Sequence, residues 1–172
     1  MQRTTLTVAA AWVVAVVGLG VAAALAATDK PNLLKPTNQV DSWRFERHGQ
    51  AEGTIQPDGE AIRFEATTVD GEAWHVQAVQ AGLDLKAGAT YVLAYKARAD
   101  PARSIAINAM VDEADWRTIG LAEEVELTTD WKDYSVTFKA DRAATNKKNR
   151  LTFILGGAKG KVWLKDVTLR EK

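Results

Sequence analysis

The stretch TYVLAYKARA, Thr90 to Ala99, sets Tyr91, Leu93, Tyr95 and Ala97 on one side of the chain. Val92, Ala94, Lys96 and Arg98 fall on the other. Strict alternation is the signature of a strand with one buried and one wetter face. No convincing amphipathic helix appears after Ala27.

The same alternation recurs on both sides of this stretch. AIRFEATTV (61–69) groups Ile62, Phe64 and Ala66. SIAINAMV (104–111) groups Ile105, Ile107, Ala109 and Val111. DYSVTFKA (133–140) groups Tyr134, Val136 and Phe138, and RLTFIL (150–155) groups Leu151, Phe153 and Leu155. KVWLKDVTL (161–169) groups Val162 with Leu164, then Val167 with Leu169. QPDGE, VDGE, KAGAT, ADPAR and GGAKGK separate the runs as turns, and the polar run DRAATNKKNR (141–150) reads as a solvated loop. Short strands at this spacing predict an all-β fold of two packed antiparallel sheets sharing one core.

The N-terminus differs from the rest. Arg3 precedes an uncharged apolar run from Leu6 to Ala27, which ends in the A-x-A signal Ala24–Ala26. This is the pattern of a signal peptide over residues 1–26, cut after Ala26. The same run is long enough to anchor an uncleaved chain in a membrane. Both readings put the remainder outside the cytoplasm, secreted or periplasmic in the first and membrane-anchored by residues 6–27 in the second. Residues 27–31 then form a short linker, and residues 32–172 one domain. Lys plus Arg (22) balance Asp plus Glu (22), so no nucleic-acid footprint is expected. Cysteine is absent, so the exported fold must hold without disulfides.

Three segments in order resemble the family 4/9 carbohydrate-binding modules, jelly-roll domains that accompany many bacterial glycoside hydrolases. They are WHVQAVQAGLDLKAGATYVLAYKARAD (74–100), EVELTTDWKDYSVTFKA (124–140) with its Thr-x-x-Trp-x-x-Tyr spacing, and RLTFILGGAKGKVWLKDVTLRE (150–171). NLL at Asn32–Leu34 matches the usual opening of such modules. The resemblance implies a galactose-binding-like jelly roll that holds oligo- or polysaccharide on a concave sheet face or at loop tips, without catalysis. A monomer is expected. Two alternatives from other classes stay open: a structural or adhesion module of the envelope, and a part in a glycoside-hydrolysing system.

The chain departs from the family pattern in two places. KPTNQVDSW (35–43) lacks the early glutamate, and Lys165-Asp166-Val167 stands where two acids commonly precede valine. The resemblance ties those acids to a structural calcium, and hard cations need several oxygen ligands. No cofactor is therefore expected. Glu46 and Asp166 remain as the candidate calcium ligands.

The tryptophans divide by position. Trp116 follows Asp112, Glu113 and Asp115 in VDEADWRTIGL (111–121). An indole can stack on the C–H face of a sugar, with Asp115 and Arg117 reaching hydroxyls, or it can plug the sheet edge. Trp43 and Trp131 read as structural, and Trp74 shares parity with Val76 and Ala78 and so reads as core. Trp163 has the opposite parity to Val162 and Leu164, and faces outward or lines a second groove. His75, Gln77, Lys96, Arg98 and Asn108 occupy wetter parities. If their strands share one sheet, they form a polar face suited to hydroxyls or simply to water. His48 and His75 have no metal-ligand spacing. The acids of DEAD and EEVE read as loop charge, and GGAKG lacks the features of a phosphate loop.

Overall fold

The computed structural model describes residues 30–172. The signal or anchor segment and residues 27–29 of the linker lie outside the described residues. Ten strands follow: β1 (Arg44–Arg47), β2 (Glu52–Asp58), β3 (Ala61–Thr68), β4 (Val76–Leu83), β5 (Thr90–Asp100), β6 (Arg103–Val111), β7 (Thr118–Leu127), β8 (Lys132–Lys139), β9 (Asn149–Ile154) and β10 (Gly160–Glu171). Short 3-10 turns at Val40–Ser42 and Ala73–His75 precede β1 and β4. Among the described residues no helix is long and apolar enough to cross a membrane.

The strands form two five-stranded sheets, ordered β1-β4-β9-β6-β7 and β2-β3-β10-β5-β8. Every strand pairing is antiparallel. The all-β, two-sheet antiparallel sandwich expected from alternation is thus the fold observed. Ile62, Phe64, Leu93, Ala97, Ile107, Val111, Leu151, Phe153 and Leu164 meet between the sheets, each at most 1 % exposed. Trp43 joins them at 6 % exposure, with its ring 5.2 Å from Phe64 and 6.0 Å from Phe153, both edge-on.

A bulge in β10 explains its change of phase. Val162 and Leu164 point into the core, and so do Val167 and Leu169. Alternation alone would have turned Val167 outward. The pairing with β5 shifts between Lys165 and Thr168, and Asp166 adopts φ 53° there. The extra residue restores the apolar face.

The opening segment is clamped to this strand. Asn32 Oδ1 accepts from Leu169 N at 2.9 Å, and Leu33 N donates to Leu169 O at 2.9 Å. Leu34 is buried behind them.

Several expectations are corrected. Trp74 is not core but 48 % exposed, because the Ala73–His75 turn breaks the strand phase before Val76. Trp131 is 38 % exposed at the rim. EEVE is not a loop; Glu123, Glu124 and Glu126 lie on the edge strand β7, where charge discourages edge-to-edge pairing. QPD ends β2, and Pro57 is tolerated because β2 is also an edge. Asn149, read as loop, opens β9 one residue before the expected strand start at Arg150, and both are buried. Lys96 and Arg98 lie on β5, in the sheet opposite to Gln77 and Asn108. The five polar residues therefore do not share one face.

Candidate functional site

The outer face of the β1-β4-β9-β6-β7 sheet carries a groove of about 590 Å³. Its floor follows from register. Gln77 pairs with Ile154, with Glu46 on the β1 side, and Met110 pairs with Arg150. Asn108 pairs with Thr152 between these rows. His48, Trp74 and Trp116 complete the lining.

The two exposed indoles stand toward opposite ends of β9. Trp74 precedes β4, whose Val76 O accepts from Leu155 N just after β9 ends. Trp116 lies over Arg150 at the strand's start, with Arg150 Cζ 4.8 Å from the ring centroid. Ile154 and Arg150 are four residues apart on β9, roughly 13 Å at ordinary strand rise.

Each indole is held in place. Trp116 sits at φ 44°, a conformation a bulky residue adopts only when its surroundings impose it. Its N–H donates to Glu113 O at 2.8 Å, which closes the turn and lays the ring over Arg150. Trp74 packs edge-on against His75, with centroids 4.1 Å apart, and His48 lies 5.3 Å away on the groove side. His75 Nδ1 is 2.7 Å from Asp70 Oδ2, and Gln50 N donates to the same oxygen at 2.9 Å. The His75 hydrogen bond holds the Asp70 carboxyl below its ordinary value.

Charge in the groove is internally paired. Arg44 donates to both oxygens of Asp112, at 2.9 and 2.6 Å, and pairs with Glu46 at 2.6 Å. Arg150 Nη1 lies 3.4 Å from Glu46 and 3.7 Å from Asp112. The Arg44 bond pulls the Asp112 carboxyl below its usual range. Burial lowers the Arg150 guanidinium, and the two carboxylates offset part of that cost. Among the described residues no three acidic, histidine or cysteine groups converge as a metal site.

The sequence candidates separate as follows. Trp116, Gln77, Asn108 and Glu46 line the groove. His75 does not line it but buttresses Trp74. Asp115 and Arg117 bond to each other beside Trp116, and Arg117 Nε also donates to Arg142 O at 3.4 Å. Arg98 lies on the opposite sheet. Asp166 is there too, 3.8 Å from Lys96, so Glu46 and Asp166 do not form one calcium site. Lys165 faces Glu60 at 3.8 Å and Trp131. Sequence reasoning missed Arg150, Ile154, Met110 and His48 as lining residues. For the first three the signal was present: Arg150 and Ile154 oppose the parity of Leu151 and Phe153, and Met110 shares the parity of Asn108.

Comparison with known proteins agrees with this architecture. A family model described as a carbohydrate binding domain matches residues 37–161. A family 4 carbohydrate-binding module of known structure superposes with a TM-score of 0.67 at 24 % identity, covering 84 % of this chain and 96 % of that one. The second N-terminal cellulose-binding domain of Cellulomonas fimi β-1,4-glucanase C gives 0.65 at 17 % identity, over 84 % and 96 % of the chains. The first such domain of that glucanase gives 0.63 at 21 % identity, over 79 % and 92 %. No protein of curated function matches. The match over most of the described chain, on a two-sheet jelly roll, places the protein in the family 4/9 carbohydrate-binding modules, as a non-catalytic domain that binds saccharide.

Proposed function

We propose that the groove between Trp74 and Trp116 is the saccharide-binding surface, and that it takes a neutral chain of several sugar rings. The observation that carries this is the pair of exposed indoles at its two ends, with amide and aliphatic groups between them. Indole faces suit the apolar faces of sugar rings, and Gln77 and Asn108 offer both donors and acceptors to hydroxyls. Neutrality follows from Arg44, Glu46, Asp112 and Arg150, whose charges are already spent on one another. Two similar structures are cellulose-binding domains, which supports β-linked glucan as the first ligand to test.

The protein acts outside the cytoplasm in this reading, as a monomer, released by cleavage after Ala26 or held by residues 6–27. It needs no cofactor. Isothermal titration with neutral cello- and xylo-oligosaccharides tests the groove. Affinity near 100 μM, on the order of 5.5 kcal/mol, is expected for an open, water-exposed site. Heat of binding that is unchanged after replacing both Trp74 and Trp116 by alanine would remove the groove from the function.

A further inference from the structure

The sheet turned away from the groove carries a second tryptophan cluster. Register sets Arg63 of β3 and Arg98 of β5 on either side of Trp163 of β10, with Gln56 of β2 beyond Arg63. Arg98 Cζ lies 3.7 Å from the Trp163 ring centroid and 5.5 Å from that of Trp131. Lys165 Nζ lies 4.9 Å from the Trp131 ring. A cavity of about 210 Å³ opens among Arg98, Trp131, Trp163, Lys165, Asp58 and Glu60. Trp131 is, with Trp74 and Trp116, one of three large hydrophobic side chains left exposed among the described residues, and the other two line the groove.

Neither carboxylate at this cavity pairs with Arg98. Asp58 Oδ2 accepts the Trp163 indole N–H at 2.8 Å, and Glu60 faces Lys165. Arg98 has no such partner. Among the described residues it makes neither an ion pair nor a hydrogen bond, and its buried Nε–H is unpartnered. The Nε–H of Arg63, one strand beyond Trp163, is in the same state. A guanidinium stacked on an indole directs its terminal Nη–H donors edgewise, parallel to the ring, where they can meet an acceptor. Two planar N–H groups match a carboxylate in a bidentate pair. An exposed indole matches the apolar face of a sugar ring. A sugar acid carries both features in one molecule.

We propose that this face is a second saccharide site, selective for an acidic sugar, with a uronate carboxylate on Arg98 and its ring against Trp131. The contrast with the groove gives the selectivity. There, Arg44 and Arg150 are paired with carboxylates of the protein, so a neutral chain fits. Here the arginine is unpaired, so an anion completes it. The cavity has room for one ring, which makes the ligand a chain end or a side branch. The two sites lie on opposite sheets and can be filled together. Inorganic phosphate would also meet a free arginine, but it makes no use of Trp131.

The test uses the full chain carrying Trp74→Ala and Trp116→Ala, so that the groove does not report. Indole ¹H–¹⁵N resonances are followed while sodium glucuronate, glucose or inorganic phosphate is added at constant ionic strength. Glucuronate is expected to shift the Trp131 and Trp163 resonances saturably, phosphate to move Trp163 alone and more weakly, and glucose to move neither. Arg98→Gln should weaken the glucuronate response at least tenfold. Trp131→Ala, a change at an exposed position, should do the same to the Trp163 response without lowering the melting temperature. No saturable shift, an equal response to glucose or phosphate, or full affinity in both variants would overturn the proposal. None of these results bears on the groove, which is read from titrations of the unaltered chain.

Discussion

Arg150 lies beneath Trp116, its guanidinium carbon 4.8 Å from the ring centroid, while its side chain is only 6 % exposed. One arginine thereby joins a groove-lining indole to the ion-pair network of Glu46, Asp112 and Arg44. Removing one partner of a buried pair costs about 3–5 kcal/mol. Because Arg44 still pairs with both carboxylates, Arg150→Ala should fall at the lower end of that range in chemical denaturation. Arg150→Lys should regain part of the stability but not the affinity, since an ammonium cannot stack as a planar cation does.

Trp74→Ala and Trp116→Ala should each weaken neutral oligosaccharide binding at least about tenfold, the equivalent of 1.4 kcal/mol. Their melting temperatures should move little, because exposed substitutions usually stay within about 0.5 kcal/mol. Trp43→Ala should do the opposite. It empties a site between Phe64 and Phe153, and a buried tryptophan lost to alanine costs about 3–5 kcal/mol. Calorimetric titration and thermal melts on the same three variants separate the two roles.

Acid should disable the groove from both ends. Asp112, behind Trp116, and Asp70, behind Trp74, are both held below their ordinary value of 3.8. A carboxyl depressed in the fold contributes stability that is complete above its unfolded value and is lost as pH falls through the folded one. Affinity should therefore be flat with respect to these two groups from about pH 7 to pH 5 and decline below about pH 4. A profile in which Asp112→Asn leaves the acid limb unchanged would assign that limb to other groups.

Gly49→Ala should impair binding without touching the core. Gly49 has φ 58°, and a Cβ there would stand 2.4 Å from Asp70 Oδ2 and 2.7 Å from the His75 ring. Those two side chains form the rest against which Trp74 leans. The left-handed backbone alone costs an alanine about 1–2 kcal/mol. Loss of affinity together with a shifted Trp74 indole resonance is the expected result.

A chelator should leave the melting temperature unchanged. Glu46 and Asp166 stand on different sheets, and Lys96 and Lys165 bring ammonium groups to the β10 bulge region. A cation that bound the native state would raise the melting temperature by mass action, so a climb with added calcium is the contrary outcome.

The strands of the core were legible because each buries one face, which imposes a period of two that composition cannot hide. The change of phase after Leu164 was also visible, although only the bulge at Asp166 explains it. Sheet membership was not legible. Arg98 and Gln77 both alternate against apolar neighbours, but jelly-roll crossovers send their strands to opposite layers. Trp74 was misread because parity holds only within a strand, and Trp74 sits in the turn Ala73–His75 that directly precedes Val76. Arg150 was hidden by its company. It closes a polar run and opens the strand pattern RLTFIL, and its pairing with Met110 and Ala81 places it on the groove face of β9.

The clamp of Asn32 on Leu169 also decides how the domain can be hung. Lys30 Nζ lies 2.9 Å from Glu171 and 3.4 Å from the carbonyl of Lys172, so the described chain enters and leaves at one corner. That corner belongs to β10, in the sheet facing away from the groove. A tether fixed to either end would suspend the module from the same point and leave the groove facing outward. A pull on both ends at once would peel the clamp open residue by residue, because its hydrogen bonds are loaded in sequence, while the sheets behind it carry little of the load.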